Sequence, residues 1–232
     1  MNRKDISGST RKLSRYLAEP LLRRTIAVAL RKHDSVTLER LARLRRYLYP
    51  SSERIWGTAV INGDLKLRVN MCEYEGGNLF FGIEFEPLET MVVRKVVKSG
   101  DIFLDVGANI GIYSLIASRL VGPSGIVHAF EPASFAYKML QDNLAINRAA
   151  NVLAVQSAVS EQGGEVELRI NKESGLTSLG ETGRGRTVGT EHVSCLSLDE
   201  YVAARQITEV NFLKVDVEGY EGHVLILQRK VS

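Results

Sequence analysis

Three short runs carry residues whose types and spacing could do chemistry, and each closes an apolar stretch. The first is Asp105-Val106-Gly107-Ala108-Asn109-Ile110-Gly111, which follows Ile102-Phe103-Leu104. Glycine lets the backbone approach a ligand where a Cβ would intrude. A helix opening after Gly111 would add free N–H groups and the positive end of its dipole. That setting suits a carboxylate such as an amino-acid tail. Asp105, an acceptor when ionised, can take hydrogen bonds from an ammonium group or from water held by one. The second is Glu131, about twenty residues beyond Gly111 at the end of Ile126 to Phe130, where a carboxylate can accept both hydroxyls of a ribose. The third is Asp216 with Glu218, at the end of Val210 to Val215.

The glycine spacing narrows the ligand. A dinucleotide loop of the form G-x-G-x-x-G needs its second glycine beside a pyrophosphate. Here Asn109 holds that position and the glycines stand four apart. No Lys-Ser/Thr pair follows, so the loop is not a P-loop. A nucleoside with a short amino-acid tail fits this pattern better than one with phosphates. Asn109 argues in the same way against a nicotinamide-dependent oxidoreductase.

The elements that must hold these residues alternate. Ile102 to Val106 reads as a buried strand, Ile112 to Leu120 as a helix and Ile126 to Phe130 as a strand. Ser134 to Asn147 reads as a helix, and Val152 to Val159 as a third strand. That alternation implies an α/β fold, a doubly wound and mostly parallel sheet with right-handed crossovers. Ligands bind such sheets beyond the carboxyl ends of the strands. Glu165 to Ile170 and Thr187 to Val193 read as an antiparallel excursion, with Gly175 to Gly189 as a loop between them. Ser197-Leu198-Asp199-Glu200 has the form of a capping box and opens a helix to about Arg205. Val210 to Val215 is a further parallel strand, and a helix starts near Tyr220.

Upstream, residues 9–31 and 35–48 read as helices, with Asp34 or Ser35 capping the second and Pro50 stopping it. Trp56 to Ile61 and Leu65 to Val69 form a β-hairpin through Asn62-Gly63. Gly76-Gly77 marks a loop, and Pro87 to Lys98 a helix. Three regions result: a basic helical extension over 1–50, a hairpin and helix over 51–100 leading into the core, and the core over 101–232. Residues 1–50 carry 13 Lys/Arg against 4 Asp/Glu, and the rest of the chain 17 against 23. The arginines of the extension are spread at helical spacing, as on a solvated face, and no nucleic-acid partner is expected. The two cysteines, Cys72 and Cys195, belong to no metal-binding pattern and read as free thiols. No apolar run is long enough to cross a bilayer and no signal peptide is indicated, so a cytoplasmic location is expected. Oligomeric state stays open.

Five runs together resemble the FkbM family of methyltransferases. They are Gly82-Ile83-Glu84-Phe85-Glu86-Pro87-Leu88-Glu89-Thr90, Asp101 through Gly111, Phe130-Glu131-Pro132, Ser197-Leu198-Asp199 and Leu213 through Glu221. The resemblance covers roughly residues 75–228. It implies a Rossmann-like class I methyltransferase fold, S-adenosyl-L-methionine as cofactor, and methyl transfer to a hydroxyl of a sugar, polyketide or similar small metabolite. Carried over by position, Asp105, Gly107, Asn109 and Gly111 would line the methionine end, Glu131 would hold the ribose, and Ser157 and Ala158 would lie near the adenine. Attack by an alcohol needs a general base. Asp216, Glu218 and His223 are candidates by placement, and Glu86 by its Glu-Pro motif. No metal site is assigned, and His33, His128 and His192 receive no role. A complete class I sheet has a fifth parallel strand and a closing hairpin beyond the helix near Tyr220. A C-terminally truncated core is therefore expected, with a non-catalytic remnant that binds cofactor or a partner as the alternative function.

Overall fold

A computed structural model of the chain describes residues 3–32, 34–171 and 187–217. The chain divides into two units, Met1–Phe85 and Glu86–Ser232. In the first, α1 (Arg3–Arg31) and α2 (Ser35–Leu48) are the two expected helices. Asp34 caps α2, its carboxylate accepting from the Thr37 N–H at 3.0 Å. The hairpin of β1 (Trp56–Ile61) and β2 (Leu65–Asn70) forms as its alternation requires, with Leu65, Leu67 and Val69 buried and Lys66 and Arg68 exposed. Asn62 and Gly63 take the positive φ values that the turn demands, 52° and 87°.

Gly76 and Gly77 do not make a loop: both lie inside α3 (Tyr74–Phe80). Close packing explains them. A Cβ at Gly76 would stand 2.3 Å from the Asn70 carbonyl oxygen, and one at Gly77 1.7 Å from the Arg45 guanidinium. The glycines admit neighbours here and do not bend the chain.

The second unit begins with α4 (Pro87–Val96) and continues β3 (Ile102–Val106), α5 (Ile112–Val121), β4 (Ile126–Phe130), α6 (Ser134–Asn147), β5 (Val152–Val155), β6 (Ala158–Val159), β7 (Gly164–Asn171), β8 (Thr187–Leu196), α7 (Leu198–Ala204) and β9 (Phe212–Val215). Four strands form a parallel sheet in the order β5-β4-β3-β9. Its strands are covered on both faces, as parallel sheets are. Leu104 and Val106 of β3 pack with Leu198 and Tyr201 of α7 on one face. The alternate residue Asp105 meets Ser114 of α5 on the other. This is the doubly wound α/β arrangement that the alternation of strands and helices implied.

The expected third strand, Val152 to Val159, is in fact two. Val152–Val155 pairs with β4, whereas Ala158–Val159 leaves the sheet and pairs with β8 in a second sheet of order β6-β8-β7. The break falls at Gln156-Ser157, where the Ser157 N–H turns back to the Val155 carbonyl at 3.0 Å. β7 and β8 are the antiparallel excursion. The expected loop over Gly175 to Gly189 lies outside the described residues up to 186, and Thr187 to Gly189 already belong to β8. Ser197 caps α7 as its pattern promised, accepting from the Glu200 N–H at 3.1 Å. The helix expected near Tyr220 lies outside the described residues.

Candidate functional site

The end of β3 is tied to its neighbours on both sides. The N–H groups of Gly107 and Ala108 both donate to the Phe130 carbonyl at the end of β4, at 3.0 and 2.9 Å. On the other side the Asp216 N–H donates to the Val106 carbonyl at 3.0 Å. Gly107 has φ 76°, and a Cβ there would stand 1.9 Å from the Asp216 carbonyl oxygen. The turn closes at Gly111, φ 93°, which caps α5 with no side chain bonded to the helix N-terminus. A Cβ at Gly111 would meet Leu140 Cδ1 of α6 at 2.6 Å.

Between the glycines, Asn109 adopts φ 49° and turns its N–H onto Glu131. Glu131 is 7% exposed. Its Oε2 accepts the Asn109 N–H at 2.8 Å and its Oε1 the Ala133 N–H at 2.9 Å. Burial pushes its carboxyl up to about 7, against the two N–H groups and the Lys214 charge, which favour the anion. The Asn109 side-chain oxygen is buried without a hydrogen-bond partner.

Asp105 is wholly buried. Its Oδ2 accepts the Ser114 hydroxyl at 2.6 Å, and its Oδ1 lies 3.3 Å from the Lys214 Nζ. Lys214 also donates to the Gly107 carbonyl at 2.9 Å and stands 3.6 Å from Asp216 Oδ2. Burial works against its charge, but Asp105 and Asp216 outweigh burial and raise its pKa. The same ammonium sits 5.3 Å from the centre of the Tyr113 ring. Tyr113 donates its hydroxyl to Glu86 Oε2 at 2.7 Å, and burial followed by the Glu86 charge raises its pKa. Glu86 itself is left-handed, φ 39°, at the start of α4.

Residues 105–231 of the chain match the family described as the methyltransferase FkbM domain. The chain belongs to the FkbM family. It is 32% identical to the 31-O-demethyl-FK506 methyltransferase FkbM of Streptomyces tacrolimicus over 56% of this chain and 60% of that protein. It is 30% identical to the hexuronic acid methyltransferase AglP of Haloferax volcanii over 59% of this chain and 55% of that one. The chain thus spans little more than half the length of these relatives. Among solved structures, a SAM-dependent O-methyltransferase from Thermotoga maritima is 27% identical over 34% of this chain and 31% of that one, with a TM-score of 0.32.

In this FkbM-family chain the structure gathers Asp105, Gly107, Asn109, Gly111 and Glu131 around one turn, and Lys214 joins Asp216 to them. Glu86 enters through Tyr113. Ser157 lies at the break between β5 and β6, and Ala158 opens β6 of the second sheet, packed with Ala133. Both are buried; the Ser157 hydroxyl is within reach of the Ala158 and Ser194 carbonyls at 3.0 and 3.1 Å, and Ala158 pairs with Cys195. Glu218 and His223 lie outside the described residues. Sequence reasoning passed over Lys214, Ser114 and Tyr113. For Lys214 a signal existed: a charged residue inside the apolar run Val210 to Val215 needs a buried partner. His128, also given no role, is a buried core residue whose Nδ1 lies 2.8 Å from the Tyr201 hydroxyl. Among the described residues no helix is long and apolar enough to cross a membrane.

Proposed function

We propose that the chain binds S-adenosyl-L-methionine at the end of β3 and transfers its methyl group to a hydroxyl of a sugar, polyketide or similar small molecule. One observation carries the reading. The Glu131 carboxylate accepts the Asn109 N–H of the glycine turn and the Ala133 N–H, and the Asn109 side-chain oxygen is buried with no partner. A buried unpaired acceptor costs about 1–3 kcal/mol unless a ligand donor meets it. Both groups are acceptors, which suits the hydroxyls and ammonium of a nucleoside with an amino-acid tail. The α5 N-terminus, capped by glycine alone, suits the tail's carboxylate. The strand exit at Val155, whose carbonyl takes the Glu131 N–H at 3.1 Å, offers the wall for the base, with Ser157 and Ala158 behind it. Ser157 shares its hydroxyl with protein carbonyls, so its part there would be backbone and shape.

When bound, the sulfonium supplies a methyl group already activated toward nucleophiles. The protein's work is to place the acceptor oxygen, exclude water and take a proton. Asp216 is the proposed base. Its side chain is 48% exposed at the β9 exit, with one oxygen 3.6 Å from Lys214. Glu86, which accepts the Tyr113 hydroxyl, would be a second carboxylate at the site and would orient the acceptor. Glu218 and His223, the remaining sequence candidates, lie outside the described residues. The relatives named for FK506 and hexuronic-acid methylation support a hydroxylated acceptor.

Isothermal titration of the folded chain with S-adenosylhomocysteine tests the cofactor. Heat at micromolar affinity with none for NAD is expected, and no heat with S-adenosylhomocysteine overturns the reading. Labelled methyl donor offered with a panel of hydroxylated metabolites tests the transfer. Asp216→Asn is expected to slow it by about 10²–10⁴-fold while S-adenosylhomocysteine still binds.

A further inference from the structure

Lys214 occupies a place that its neighbours in the sheet dictate. In the parallel pairing of β3 with β9 it stands directly beside Asp105, so both side chains leave the same face. Phe103 and Phe212, one pair earlier on that face, stack at 4.9 Å and close it below. The lysine stem can only run upward, toward the strand ends. There the ammonium meets three oxygens from three places: Asp105 at 3.3 Å, the Gly107 carbonyl at 2.9 Å and Asp216 at 3.6 Å. Its side chain is 13% exposed. A buried charge persists only when paired and hydrogen-bonded, and these three oxygens meet that need.

We propose that Lys214 is a positioning residue for the nucleoside site: it clamps the glycine turn to the exits of β3 and β9 and supplies the positive charge against which Glu131 acts. The proposal rests on the reading of Glu131 given above. Burial acts most strongly on Glu131; beside it act the Ala133 and Asn109 N–H groups, the Lys214 ammonium on β9 and the Asp105 carboxylate on β3. The two charges act in opposite senses, Lys214 favouring the anion and Asp105 opposing it. Asp105 thus acts on Glu131 in the opposite sense to the ammonium it holds. Asp216 and Glu86 complete the charges that act on the ammonium.

Two substitutions of opposite sign test this. Lys214→Met keeps the stem and removes the charge. Asp105→Asn keeps an acceptor for Ser114 and removes the opposing carboxylate. The first readout is the Glu131 titration, followed by carboxyl ¹³C NMR on ligand-free protein. The second is S-adenosylhomocysteine affinity against pH. The Glu131 midpoint is expected to rise by about one pH unit in Lys214→Met and to fall in Asp105→Asn. At pH 7 the Lys214→Met affinity should drop about fivefold and recover at higher pH, whereas Lys214→Arg should stay near wild type. An unmoved midpoint in folded Lys214→Met, or in Asp105→Asn should the first variant not fold, overturns the proposal. Failure of the cofactor reading looks different: S-adenosylhomocysteine would then bind no variant at any pH, while the ligand-free midpoints would still report on Lys214.

Discussion

Gly107 and Lys214 show what a single residue reveals in sequence and what it hides. Gly107 was legible because its reason is local: a strand ends, the backbone must turn with φ 76°, and only glycine does so without strain. Lys214 shows in sequence only that a charge in an apolar run needs a partner; which partners it takes is hidden, because Asp105 and Gly107 lie more than a hundred positions away. Asp105 suffers the same ambiguity. An acid at a strand end reads as a ligand group, yet here it is wholly buried between Ser114 and Lys214. The two glycines of the turn should differ in tolerance. Gly107→Ala would drive its methyl onto a backbone oxygen of β9's exit, and we expect a loss of about 2–4 kcal/mol in urea denaturation. Gly111→Ala meets the end of the Leu140 side chain, which can shift, so its loss should be smaller and set mainly by the positive φ, about 1–2 kcal/mol. Equal losses would mean that the contact with β9 does not govern the turn.

At the scale of elements, local signals were read well and pairing decisions were not. The cap of α7 needs only four residues, and Ser197 duly accepts the Glu200 N–H. Ser197→Ala should cost about 1 kcal/mol, seen as a lower denaturation midpoint with an unchanged slope. A changed slope would point to a wider loss of structure than one cap. The divided strand is the opposite case. Val152 to Val159 has one continuous composition, and nothing within it says that its second half will pair with β8. That choice is made by Cys195 and Leu196, about forty residues on, which pair with Ala158 and Val159. The glycine pair in α3 failed for a similar reason: glycine signals either a turn or a close neighbour, and the neighbours, Asn70 and Arg45, come from other elements.

Across the whole molecule, the buried carboxyl of Glu131 couples stability to pH and to ligand. In the folded chain it holds its proton up to about 7, whereas an unfolded glutamate releases it near 4.5. Between those values the native state binds more protons than the unfolded state, so this group makes stability fall as pH rises and has no further effect above 7. The full effect is up to about 3 kcal/mol. His128 acts in the other direction. Burial first, and then the Arg205 charge, lowers its pKa below 6.5, so the unfolded state takes the proton first and stability falls as pH drops through that range. The two opposing slopes overlap, and the wild-type curve alone would hide both. Glu131→Gln separates them, because its amide cannot ionise. Denaturation of the variant and the wild type at several pH values should show the variant gaining on the wild type from pH 4.5 to 7 and then running parallel. S-adenosylhomocysteine should reduce that gap near pH 7, since ribose hydroxyls donate to the ionised carboxylate and their binding energy offsets the cost of charging it. A gap that ignores the ligand would place the nucleoside away from Glu131, however tightly it binds.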